Sequence, residues 1–264
     1  MRPVGLWIPA PVVSGRALLW GPGWFALEMA VLWVDPQLLV LVLAVLGGMA
    51  AWQTARAWAD AGEDVEPAVA AMITIAVVLA STIGPAGAGA ATLAAVVVSL
   101  LAPVGLQSGR GPNDPGDPLV ASAGLLVQSW LPAVAAAVPL ALLADRAEGA
   151  GAVFSLLCLL GIYDAGHHLV GMSAIHAWEG PLAGVVGMVV VTGALVVVGV
   201  PPMDVDTLVR YSVATMVLAP LGEVLGSLST PAALGPGPAL RRLDSLIAAG
   251  PVWTFLVWGY LNTL

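Results

Sequence analysis

The sequence predicts an all-α fold, a polytopic helical membrane protein of about nine transmembrane helices, and three observations carry that prediction. Hydrophobic residues fill 59% of the 264 positions. Charged residues fill only 9%, where a soluble domain carries about a quarter, and the mean hydropathy is +0.98. The apolar residues also gather into runs approaching the ~20 residues that a helix needs to cross a bilayer. Together these exclude a soluble globule.

Nine runs satisfy or approach that length: 17–34, 37–58, 67–84, 86–104, 119–144, 149–163, 180–200, 208–228 and 243–262. The first is interrupted by Glu28 and ended by Asp35-Pro36. The second carries Arg56 near its end, the third to fifth hold no charged residue, and the turn-rich stretch "GLQSGRGPNDPGDP", 105–118, separates the fourth from the fifth. That stretch divides the chain into residues 1–118, with spans one to four, and residues 119–264, with spans five to nine. The sixth run reaches full length only by continuing past Asp164. The seventh opens on glycines just after Glu179, the eighth carries Glu223 near its end, and the ninth begins at Leu243-Asp244. Residues 1–16, with Arg2, Arg16 and three prolines, read as an interfacial lead-in, because no A-x-A site follows a short apolar core.

The net charge of −8 comes from eight arginines, no lysine and sixteen acids, which argues against nucleic acid as a partner. The single Cys158 permits no intrachain disulfide. With nine crossings, Arg2, Arg16, Arg56, Arg110, Arg241 and Arg242 fall on one side and Arg146 and Arg210 on the other. Positive charge is retained on the cytoplasmic side. The expectation is therefore an integral protein of the inner (cytoplasmic) membrane with a cytoplasmic N-terminus and its polar cleft facing the cytoplasm.

Two polar clusters interrupt the apolar pattern. "IYDAGHHLVGMSAIHAWEGPLAG", 162–184, gathers all three histidines with Asp164 and Glu179. Asp164 and His168 stand four apart and share a helical face, and ionisable groups at membrane depth are functional candidates. His167, His168 and His176 also fit a solvated loop. A transition-metal set of Asp164, His168 and His176 is the sharper reading, although its spacing matches no firm zinc signature. Gly180, Gly184 and Gly187 suit close helix packing. The second cluster, 218–253, holds Gly222-Glu223, a Pro/Gly-rich segment and then Arg241-Arg242-Leu243-Asp244-Ser245. The arginine pair fits either a positive-inside anchor or a phosphate contact.

In this order the two clusters resemble the phosphatidate cytidylyltransferases, the CDP-diacylglycerol synthase family. Asp164-Ala165-Gly166 through Gly171 resembles that family's D-x-G-x-x-x-G, and Ala177-Trp178-Glu179-Gly180 its K-T-W-E-G. Gly222 to Ser227 is similar to G-D-x-x-E-S, and Pro236 to Ser245 to P-G-H-G-G-x-x-D-R-x-D-S. The likeness covers roughly residues 160–260. His176 stands where the family has Lys, Glu223 and Arg241 each stand where it has Asp, and "SLSTPAALGPGPAL" replaces its basic pairs and H-G-G.

The resemblance implies transfer of CMP from CTP to a phosphatidate-like lipid, with Mg2+ as cofactor. It assigns Asp164, Glu179, Glu223 and Asp244 to catalysis, with Asp164, Glu223 and Asp244 on the metal, and His176, Arg241, Arg242, Ser227 and Ser245 to substrate. Whether the departures leave an active enzyme stays open at this stage. A non-catalytic relative that binds lipid or a protein partner and a small-solute transporter are the alternatives. The small-residue faces suggest a homodimer.

Overall fold

The computed structural model describes residues 15–107, 119–146, 148–176, 178–231 and 234–263. Arg2, Arg110, Ala177 and the turn-rich segment after Gln107 lie outside them, and of Arg16 only the backbone is described. The described residues are all-helical, with no strand. They form nine α-helices: α1 (Gly15–Val34), α2 (Pro36–Asp60), α3 (Pro67–Ala80), α4 (Pro85–Gln107), α5 (Leu119–Ala144), α6 (Gly149–Gly171), α7 (Glu179–Val198), α8 (Val205–Leu228) and α9 (Asp244–Leu261). Each apolar run of the sequence corresponds to one of them.

Six helices, α2 and α4 to α8, are long and apolar enough to cross a membrane, and they point to a membrane-embedded protein. Shorter apolar stretches come from α1 (Gly23–Val34) and from α3 with the 3-10 turn after it (Pro67–Ile83). The largest difference from the sequence reading is in α6. It continues seven residues beyond Asp164, so His167 and His168 lie on a helix rather than in a loop.

Helix ends follow local chemistry. Asp35 accepts from Gln37 N at 2.8 Å ahead of Pro36, and Asp204 accepts from Thr207 N at 2.8 Å, so each caps otherwise unpaired N–H groups. The backbone N–H groups around Asp204 hold its carboxyl below the usual carboxylate range.

One core joins Leu39 and Leu43 of α2, Leu140 of α5, Leu156 of α6 and Leu246 of α9, so helices from both halves of the chain share it. A second gathers Ala55 of α2, Val77 of α3, Ala95 of α4 and Trp130 of α5. Buried tryptophans in these cores satisfy their indole N–H groups: Trp130 donates to Ser99 Oγ at 2.9 Å and Trp253 to Ala152 O at 3.1 Å. The outward faces of α4 and α7, including Leu93, Val97, Val190 and Val197, are exposed and apolar, as contact with lipid tails requires.

Contacts at the helix termini sort the bundle into two ends. At one, Trp58 of α2 donates to Ser229 O at 2.9 Å, Gln128 of α5 donates to Leu228 O at 2.6 Å, and Gln53 accepts from Ala239 N at 3.0 Å. At the other, Tyr260 of α9 donates to Pro202 O at 3.3 Å and Arg146 donates to Asn262 Oδ1 at 3.4 Å. Both polar clusters of the sequence belong to the first end, together with Arg56, Arg241 and Arg242. Arg146 and Arg210 belong to the second.

Candidate functional site

At that first end, α6, α8 and α9 each supply one acid. Asp164, Glu223 and Asp244 come from three different helices, yet each offers a carboxylate oxygen within 4.8 Å of the others'. None of the three is exposed. Small residues make this approach feasible. A side-chain carbon at Gly222 would clash with the Asp244 carbonyl oxygen and lie 2.9 Å from that of Ser245, so only glycine lets α8 lie this close to the start of α9. Between α6 and α7, Gly184 plays the same part, with Tyr163 Cδ2 2.6 Å from where its Cβ would stand. Gly180 and Gly187 meet α6 on the same face. The close packing expected of these glycines is therefore present.

Around the three acids the polar groups fall into three sets. Glu223 is held from α6: His167 Nδ1 lies 2.6 Å from Oε1, and Tyr163 donates to Oε2 at 3.1 Å. Because a carboxylate only accepts, His167 carries its proton on Nδ1 in this contact. Asp244 accepts from the Ser245 N–H at 2.8 Å. The Ser245 hydroxyl, 1% exposed, lies beside the Asp164 carboxyl but has no hydrogen-bond partner at ordinary geometry among the described residues.

Positive charge approaches from the short 3-10 turn Leu240–Arg242 that precedes α9. Arg242 acts electrostatically on Asp164, His168 and Glu28, and Arg241 on Asp244 and His168. Arg241 also donates through Nε to Pro236 O at 3.0 Å, which fixes its stem against the Pro/Gly-rich segment.

The remaining residues singled out in the sequence are placed elsewhere. His176 and Glu179 pair with each other: Nδ1 lies 2.8 Å from Oε1, the His176 N–H donates to the same oxygen at 3.1 Å, and the Ile175 N–H donates to Oε2 at 3.3 Å. They tie down the turn before α7 and are not brought to the three acids. His176 also stacks on Trp178 with ring centroids 6.0 Å apart. Asp164, His168 and His176 do not gather into a ligand set among the described residues. Ser227 donates to Glu223 O at 2.8 Å, a bond along its own helix.

Glu28, Tyr163 and His167 receive no site role from the sequence pattern or from the resemblance. Phe25 of α1 packs on Gly161 of α6, and Glu28 lies about one helical turn further along α1. There Glu28 is 9% exposed and within the electrostatic reach of Arg242 and Asp164. A lone acid inside an apolar span was the available signal. Tyr163 and His167 stand four apart, as Asp164 and His168 do, and which of the two neighbouring faces meets α8 depends on helix rotation, which spacing leaves undetermined.

The arrangement can hold a cation. Three carboxylates this close repel one another, and a divalent ion offsets that repulsion while the adjacent arginines suit phosphate oxygens. No protein-family model matches the chain, and a search of curated proteins finds no match.

Proposed function

We propose that the chain is a divergent CDP-diacylglycerol synthase-like membrane protein that transfers CMP from CTP to a phosphatidate-like lipid. The observation that carries the proposal is the convergence of Asp164, Glu223 and Asp244 within 4.8 Å, from positions far apart in the sequence, beside Arg241 and Arg242. The donor set fits Mg2+: all three are hard oxygen ligands, and a 4.8 Å spread is close to the ~4.2 Å across an octahedron with bonds of about 2.1 Å. When bound, Mg2+ would neutralise phosphate charge and polarise the α-phosphoryl group.

In the reaction a phosphate oxygen of the lipid bonds to the α-phosphorus of CTP, the bond from that phosphorus to the β-phosphate oxygen breaks, and pyrophosphate leaves. Arg241 and Arg242 screen the two polyanions as they approach. His167 and Tyr163 hold the Glu223 carboxylate in one orientation toward Asp164 and Asp244. Ser245 and Ser227 flank the acids on α9 and α8, and His176 with Glu179 forms the rim at the start of α7. In this reading all nine helices cross the inner membrane and the site end faces the cytoplasm, supported by Arg56, Arg241 and Arg242 there against Arg146 and Arg210 at the far end.

One observation favours a second reading, a non-catalytic relative that keeps the lipid cleft. Both Glu223 oxygens already have partners within α6, and His176, which pairs with Glu179, stands where the family has a lysine. Loss of three charge-assisted contacts of ~1.5–3 kcal/mol each, at ~1.36 kcal/mol per tenfold in rate, would cost on the order of a thousandfold or more. The deciding assay is conversion of radiolabelled CTP to CDP-lipid by purified protein with phosphatidate and Mg2+. Turnover that Asp244→Ala and Arg242→Ala both abolish supports the transferase. No turnover, with no rescue of a conditional synthase mutant, leaves the non-catalytic relative.

A further inference from the structure

The far end of the bundle holds a crevice that the acidic site does not use. It is open to the surface, has a volume of about 920 Å3 and is lined by Pro139 of α5, Tyr211 of α8, Pro251 and Phe255 of α9, and Pro85 at the start of α4. It borders both α5 and α9. At Gly250 the two helices are in close contact, since a side-chain carbon there would lie 3.4 Å from Ala136 O and 3.3 Å from Leu140 Cδ1. Just beyond that contact each helix contains a proline, Pro139 in α5 and Pro251 in α9, which bends a helix by removing a hydrogen bond and crowding the preceding turn. Thr254 donates to Pro139 O at 3.1 Å and closes the inner part of the gap.

From Pro251 to Tyr260, both of which line it, the crevice follows α9 for about 14 Å at ~1.5 Å per residue. One leaflet of a bilayer's hydrocarbon core is ~15 Å deep. Its volume lies in the ~300–1,000 Å3 range of small-molecule sites. Phe255 at the lip is 77% exposed, so the gap is accessible from the surrounding hydrocarbon.

The outer end carries the one feature that selects a headgroup. The Arg146 guanidinium carbon lies 3.8 Å from the Trp258 ring centroid, and its Nη1 donates to Asn262 Oδ1 at 3.4 Å. Trp258 and Asn262 both line the crevice. Asp145 and Glu148, either side of Arg146 in the chain, are exposed. A short turn that carries one guanidinium and two exposed carboxylates complements a phosphate that carries an ammonium group, whereas a wholly anionic headgroup would meet the two acids unfavourably.

We propose that this crevice binds one phosphatidylethanolamine of the far leaflet, with an acyl chain between α5 and α9, its phosphate on Arg146 and its ammonium between Asp145 and Glu148. The site is independent of the transferase reading, because it shares no residue with the acidic cluster.

The test is native mass spectrometry of the detergent-purified full chain equilibrated with phosphatidylethanolamine or, separately, phosphatidylglycerol of the same acyl composition. Gly259 lines the crevice and a side chain there would meet nothing within 4 Å, so Gly259→Trp fills the space without displacing a helix. The unaltered chain is expected to retain one phosphatidylethanolamine in preference to phosphatidylglycerol. Gly259→Trp should lower that retention about tenfold, and Arg146→Ala should abolish the preference. Circular dichroism and elution volume verify that both variants fold. Equal retention of the two lipids by the unaltered chain, or undiminished retention by a folded Gly259→Trp variant, overturns the proposal.

Discussion

Replacing Gly222 by alanine tests the contact on which the acidic site depends. The new methyl would lie 2.9 Å from the Ser245 carbonyl oxygen and nearer still to that of Asp244, both backbone atoms that cannot rotate away. Ordinary contact requires about 3.5 Å, so α8 and α9 must part by roughly 0.6 Å or more, beyond the ~0.5 Å tolerance of a productive constellation. Glu223, the next residue, moves with α8, while Asp244 stays with α9. Overpacking of this kind costs about 1–3 kcal/mol. The assay is thermal unfolding of the purified protein with and without Mg2+. A ligand at a hundred times its Kd adds ~2.7 kcal/mol to the folded state. Gly222→Ala should melt lower than the unaltered chain and lose the Mg2+ gain. Gly193→Ala is the control: a side chain there meets nothing within 4 Å, so it should melt no lower, helped by up to ~1 kcal/mol of helix propensity, and keep the gain. A Gly222→Ala variant as stable as the unaltered chain and equally responsive to Mg2+ would refute the reasoning.

Further outcomes follow from the same geometry. Asp164→Asn and Asp244→Asn should each abolish the Mg2+-dependent rise in melting temperature, and an unchanged response in both would remove the metal from the reading. In a Cys158→Ala background, Ser173→Cys, on the exposed turn after α6, should resist an impermeant thiol reagent in intact cells and react after lysis. Labelling in intact cells would place the site end outside. Ser229 is unsuited as a reporter, being 3% exposed. Asp204→Ala should lower the melting temperature at neutral pH. Because the folded-state pKa of Asp204 is lowered, its stabilisation is present above the ordinary carboxylate pKa of ~3.9 and is lost as pH falls through the lowered value. The difference between variant and unaltered chain should therefore close in strong acid, and a difference that persists there would rule out the charged cap as its cause.

Much of the fold was legible in the sequence because apolar length and helix-terminating residues act locally. Asp35-Pro36 separates α1 from α2, and the run from 119 to 144 coincides with α5. Asp164, Glu223 and Asp244 were legible as candidates for a related reason: an acid is costly among apolar neighbours, so each stands out even in one dimension. What only the tertiary structure decided is which of these residues meet. Glu179 and Asp164 lie in the same short stretch, yet Glu179 bonds to His176 within its own turn, while Asp164 reaches acids on α8 and α9. Glu28, from the first helix, lies within electrostatic range of the group. The physical reason is that helix rotation and depth of contact are set by where glycines permit backbones to touch, as Gly184 does against Tyr163 and Gly222 against Asp244 and Ser245. A glycine in a sequence signals that a close approach is allowed, and only packing selects the helix that makes it.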